Sequence, residues 1–239
     1  MKTFSITESF KFGWNKLKAH SRLVFSATLI LAAIQLLVRL TTPEQSSVPA
    51  AGIMIFGAII EVVLGTGFTI IALKLARGEH TTFREIIPSG RLLWQYIATA
   101  VLVGLMMLVC VGIPVGVGVL LMLGGGGISG LVIGGIIGGA IAILIVLRYF
   151  FIKIVSIDGV RPIKEILSTS AKLSDGIKWQ LLLFLLVIAL INILGALTVV
   201  GLLLTIPITL FAMTHVYLKL LAPSQTPAAT VSPSSPAIE

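Results

Sequence analysis

The chain has 239 residues, 57% of them hydrophobic and 11% charged, with a formal charge of +8. Soluble domains average about 45–50% apolar and about 25% charged residues. A mean hydropathy of +1.11 points the same way and excludes an ordinary soluble globule. The excess of Lys and Arg would suggest nucleic acid in a soluble protein, but sorting of these residues by membrane side explains it without such a partner. The single cysteine, Cys110, lies in an apolar run and cannot form an internal disulfide.

Lys2, Lys11, Lys16, Lys18 and Arg22 precede any long apolar stretch, so no signal peptide is expected. Crossing roughly 30 Å of hydrocarbon takes about 20 apolar residues in a helix. By that measure the sequence predicts spans at about 23–40, 50–75, 92–112, 129–152, 179–197 and 200–220. Gly112, Pro114 and the tetraglycine Gly124–Gly127 are the expected breaks after the third span, with a re-entrant or surface stretch before the fourth. The expected fold is an all-α polytopic membrane protein with six transmembrane helices in three hairpins; β-sheet is excluded because open edges would leave backbone groups unpaired in lipid. This count puts every Lys and Arg except Arg39 on one side, which the positive-inside rule makes cytoplasmic, together with both termini. Residues 1–221 form one membrane domain, and the Pro-, Ala-, Ser- and Thr-rich 222–239 is an expected disordered cytoplasmic tail.

Each hairpin is preceded by a segment with the marks of an interfacial amphipathic helix. Ser5–Glu8 and Thr82–Glu85 fit the capping box, and Pro162 suits a first helical position. Ile6, Phe10, Trp14 and Leu17 recur at helical spacing, as do Ile163, Ile166, Leu167 and Ala171, with Gly176 as a stop. Trp14–Asn15, Trp94–Gln95 and Trp179–Gln180 each follow a glycine, at Gly13, Gly90 and Gly176. The recurrence suggests three related units whose Trp14, Trp94 and Trp179 rings anchor at the inner headgroup level, although interfacial placement of Trp would alone produce part of it.

Glu61 is the most unusual intramembrane residue, since a charge at mid-span costs about 2.5–3.5 kcal/mol on insertion scales. It is either a proton, cation or substrate-amine site, or a structural group hydrogen-bonded to a neighbouring helix, with Gln35 and Asn192 as the expected partners. Those two amides otherwise read as interhelical glue. Arg148 and Lys153 read as cations reaching the headgroups, with an Arg148–Asp158 ion pair as the alternative. Gly130, Gly134, Gly135, Gly138 and Gly139 make overlapping GxxxG pairs, for packing within the chain or across a dimer. His20, His80 and His215 form no metal or catalytic spacing, so no metal, cofactor or enzyme chemistry is expected.

Taken in order, Phe12–Gly13–Trp14, Ala72–Glu79, Gly112–Ile113–Pro114, Arg148–Tyr149, Asp158–Gly159, Ser170, Leu173, Gly176, Gly201, Pro207 and Tyr217 cover about 10–221. In that pattern the chain resembles a family of uncharacterised prokaryotic six-span membrane proteins related to the membrane domain of some bacterial glycerophosphodiester phosphodiesterases. It departs from them in its glycine-rich 115–140, and Glu61 is not among the matching features. The resemblance implies the six-span fold and carries no activity, the phosphodiesterase domain being absent. The expected function is a non-enzymatic scaffold or accessory protein of the cell inner membrane, binding anionic lipid headgroups and a membrane-protein partner or a second copy of itself. The alternative is a small transporter or channel using Glu61.

Overall fold

The computed structural model describes residues 3–41 and 48–222. Among these there is no strand, and six helical stretches are long and apolar enough to cross a membrane: Ser21–Val38, Phe56–Arg77, Phe83–Gly125, Gly127–Ile157, Lys178–Ala196 and Gly201–Leu221. The expected tail lies, but for Ala222, outside the described residues.

Helix α1 (Ile6–Ala19) starts at Ser5, whose hydroxyl accepts from the Glu8 amide at 3.3 Å. Ser9, Gly13 and Leu17, one turn apart, are buried, while Lys11, Trp14 and Lys18 are exposed. Gly13 lets α1 lie against α9 (Val199–Leu221), for a Cβ there would stand 2.5 Å from the Ile208 carbonyl oxygen. The first and last helices are thereby joined. Helix α2 (Ser21–Thr41) packs on α3 (Val48–Arg77) and on α9. A 3-10 turn, Phe83–Ile86, tucks against α3 at Gly67, where a Cβ would sit 1.7 Å from the Ile86 carbonyl oxygen.

The capping box expected at Thr82–Glu85 does not form. Thr82 makes no side-chain cap, and the Glu85 carboxylate is drawn instead to Lys74 at 2.9 Å and to the Thr81 hydroxyl at 2.8 Å. A nearby ammonium competes for the carboxylate better than a backbone amide does.

The third span also differs from expectation. Helix α4 runs unbroken from Gly90 to Leu121 with Pro114 inside it, so 113–121 is neither re-entrant nor a surface stretch. Proline removes one helical hydrogen bond, a loss that membrane helices tolerate when a neighbour packs alongside. Here α5 (Gly127–Arg148) supplies that neighbour. The break comes at a π-helical turn, Met122–Gly126, where Gly125 and Gly127 have φ of +98° and +60°, values that need glycine. Gly118, Gly130, Gly134 and Gly138 are buried along the α4–α5 contact, a Cβ on Gly134 falling 2.6 Å from the Pro114 carbonyl oxygen. Gly135 and Gly139 face open space, so the 135/139 pair takes no part in packing within the described chain.

The fourth apolar stretch, Gly127–Ile157, is interrupted within the expected 129–152. After Arg148 the chain turns at 149–151 and restarts as α6 (Ile152–Ile157), then α7 (Ile163–Ser174), stopped by Gly176 at φ +81°. Pro162 is the residue before α7 rather than its first. Helix α8 (Lys178–Ala196) packs on α9, whose start is capped by the Thr198 hydroxyl accepting from the Gly201 amide at 3.0 Å. The main buried cluster gathers Phe151, Ile154, Val155, Ile166, Leu181, Phe184, Val216 and Tyr217. It lies at the end of the bundle where α1, α6 and α7 meet α8 and α9.

Candidate functional site

A cavity of about 420 Å³ opens between α2, α3, α6 and α9. Helical spacing brings its lining together. Thr28, Leu31 and Gln35 share one face of α2, and Glu61, Gly65, Phe68 and Thr69 share one face of α3. Helix α9 contributes Leu203, Ile206, Thr209 and Met213, and α6 contributes Lys153. Glu61 and Gln35 are exposed where the cavity opens, and the Gln35 amide donates to Glu61 Oε1 at 2.9 Å. The hydroxyls of Thr28, Thr69 and Thr209 donate to carbonyls of their own helices, at 2.8, 2.7 and 2.9 Å, so each shows the cavity an oxygen whose proton is already used.

Lys153 lines this cavity from α6, the short helix that follows the turn at 149–151. The sequence predicts a headgroup-reaching cation here; in the structure Lys153 is half-buried, and no hydrogen bond or ion pair to another described residue holds its ammonium. Nor do Lys153 and Glu61 pair directly, although they line the same space. Asn192, expected as a partner of Glu61, is elsewhere: its amide donates to the Ile188 carbonyl of its own helix at 2.8 Å.

The Arg148–Asp158 pair is likewise corrected. Asp158 accepts from Arg77 Nη2 at 2.5 Å and from the Tyr217 hydroxyl at 2.6 Å, its side chain only 6% exposed. Arg148 is left exposed at the end of α5. Asp158 thus ties the end of α3 to α9 through the loop after α6.

Around it the amides that follow the tryptophans reach across the bundle. Gln95 donates to the carbonyls of Ser156 at 2.9 Å and Gly159 at 3.0 Å, and its oxygen accepts from the Arg161 amide at 3.0 Å. Gln180 donates to the Phe4 carbonyl. Asn15 is exposed, and its neighbour Lys16 makes the equivalent reach, donating to the Leu75 carbonyl at 2.7 Å. Trp14, Trp94 and Trp179 are 43, 72 and 84% exposed, with Lys18 Nζ 4.9 Å from the Trp14 ring centre. His215 stacks on Phe12 and lies 3.3 Å from the Ser9 hydroxyl, away from the cavity.

Compared with known proteins, the chain matches no protein-family model, no curated protein and no solved structure.

Proposed function

We propose that this chain is a small non-enzymatic transporter of the cytoplasmic membrane, with Glu61 at its solute site. One observation carries the reading: a cavity at membrane depth exposes the Glu61 carboxylate, steadied by a single amide donor, together with an ammonium from another helix. A charge kept inside a bilayer costs several kcal/mol by insertion scales or more, which is why such groups mark substrate and ion pathways. A purely structural Glu61 would be packed against its partners with no room beside it. The proposal includes three membrane hairpins, each entered through an interfacial helix, with the basic end and both termini in the cytoplasm; what supports it is the segregation of Lys and Arg. The likeness to the uncharacterised six-span family agrees with this architecture and adds no substrate.

The test is native mass spectrometry of the full chain extracted in lipid nanodiscs. A discrete small molecule released from the unmodified protein and lost in Glu61→Gln is the expected result. A stoichiometric protein partner, unchanged in Glu61→Gln and with no small molecule present, would overturn it. That outcome would favour the second reading, a lipid- and partner-binding scaffold, for which the three exposed tryptophans on the basic rim speak. Enriched anionic lipid alone, indifferent to Glu61, would also go against transport.

A further inference from the structure

The cavity holds one group of each sign, and neither is neutralised by contact with another described side chain. Gln35 gives Glu61 a hydrogen bond but no charge, and Lys153, held by no hydrogen bond or ion pair among the described residues, feels the Glu61 charge across the cavity without touching it. In a low-dielectric site each ion keeps a desolvation cost that contact with an opposite charge would offset. A simple cation would answer Glu61, leave Lys153 bare, and turn a cavity of zero net charge into a positive one. A simple anion would do the reverse. An occupant carrying both signs satisfies both groups and leaves the net charge of the site at zero. Between the two poles the wall is apolar, formed by Leu31, Phe68, Leu203 and Ile206, with threonine oxygens that offer acceptors but no free protons.

We infer that the cavity takes a zwitterion with an apolar body, its ammonium group at Glu61 and its anionic group at Lys153. This rests on the transport reading and adds to it the substrate class and a second binding residue. Two sources share that chemistry, a free apolar amino acid and the ethanolamine headgroup of a phospholipid, and the cavity volume admits the polar part of either.

The experiment is calorimetric titration of the full chain in phosphatidylglycerol nanodiscs. One probe series is L-leucine, isopentylamine and 4-methylpentanoate, which separate the two charges on one apolar body. The second is short-chain phosphatidylethanolamine against phosphatidylglycerol of the same chain length. Within one series the zwitterion is expected to bind about tenfold or more tighter than its singly charged relatives, the worth of one charge-assisted hydrogen bond. Lys153→Met should erase that preference and leave isopentylamine binding no weaker if the leucine series is the one recognised, while Lys153→Arg should restore the preference. Thermal unfolding of the three proteins separates loss of binding from loss of fold. A preference in the leucine series assigns a free solute, and one in the lipid series assigns a headgroup. If isopentylamine binds through Glu61 as tightly as leucine and Lys153→Met changes nothing, the zwitterion is wrong and the transport reading stands. If no probe binds in a Glu61-dependent way, both fall.

Discussion

Arg77 and Asp158 meet at 2.5 Å across 81 positions of chain, and the Tyr217 hydroxyl closes on the other carboxylate oxygen at 2.6 Å. Asp158 is nearly buried whereas Arg77 is 33% exposed, so the pair is asymmetric: loss of the carboxylate strands a tyrosine hydroxyl inside and a guanidinium that water partly reaches. Removing one member of a fully buried pair costs about 3–5 kcal/mol; with Arg77 partly hydrated, Asp158→Ala should cost about 2–3 kcal/mol. Tyr217→Phe keeps the ion pair and should cost about 1 kcal/mol. Denaturant unfolding in micelles checks the order. Equal costs would mean that the ion pair contributes nothing beyond the hydroxyl.

The glycines divide into those that admit backbone and those that face outward. Alanine at Gly67 would put a Cβ 1.7 Å from the Ile86 carbonyl oxygen, and at Gly134 2.6 Å from that of Pro114. Backbone on both sides cannot give way as a side chain would, so Gly67→Ala and Gly134→Ala should each cost about 1–3 kcal/mol. Gly135→Ala enters open space and should fall within about 0.5 kcal/mol of the parent. Thermal unfolding of the three variants compares them directly. A Gly135→Ala as damaging as Gly134→Ala would mean that this face is covered in the membrane by a second molecule.

The six membrane-length helices are legible in sequence because the bilayer imposes them: apolar runs of that length need no knowledge of contacts. Gln35 is readable as a neighbour of Glu61 on the same ground, since mid-span polar groups seek each other. What stays hidden depends on local breaks or distant pairing. No glycine or proline marks the turn at 149–151 ahead of Lys153, where three aromatics, Tyr149, Phe150 and Phe151, would sit equally well in a helix. Proline misleads in the opposite sense at 114, where tertiary packing overrides its tendency to break. Arg77 as the partner of Asp158, in place of the nearer Arg148, follows from how α3 and α6 meet, which periodicity does not encode.

Glu8 ties α1 to α9 through Lys219, 2.7 Å away, and this hydrogen bond, with the charge behind it, holds the Glu8 carboxyl below the ordinary glutamate range. A carboxyl lowered on folding adds stability that is fully present above its unfolded value of about 4.3 and is lost as pH falls through the lower folded value. The docking of α1 on α9 should therefore hold at pH 7 and loosen below about pH 4. Hydrogen exchange of the α1 amides between pH 7 and 3.5, corrected for intrinsic rates, reads it out. In Glu8→Gln the acid-dependent part should disappear. Because both groups are exposed, added salt should weaken the effect at every pH.

Gln95 and Asn15 occupy equivalent places after a tryptophan but differ in what they hold. Gln95, 7% exposed, grips Ser156, Gly159 and Arg161 across the bundle, whereas Asn15 is exposed and its role passes to Lys16. Gln95→Leu keeps the bulk, removes both the donor and the acceptor, and leaves the Arg161 amide without its partner. The cost should be about 1–3 kcal/mol, and faster exchange should centre on the amide of Arg161. Asn15→Ala should stay within about 0.5 kcal/mol of the parent. Lys16→Met should loosen the end of α3 at Leu75, as Gln180→Leu should loosen the chain at Phe4. The links run from Lys16 to the end of α3, from Gln95 to the loop after α6, and from Gln180 back to the start of the chain. If they act as one ring, the Gln95 and Gln180 variants should combine to more than the sum of their separate costs, whereas independent links simply add. Additive costs would leave three related contacts and no ring.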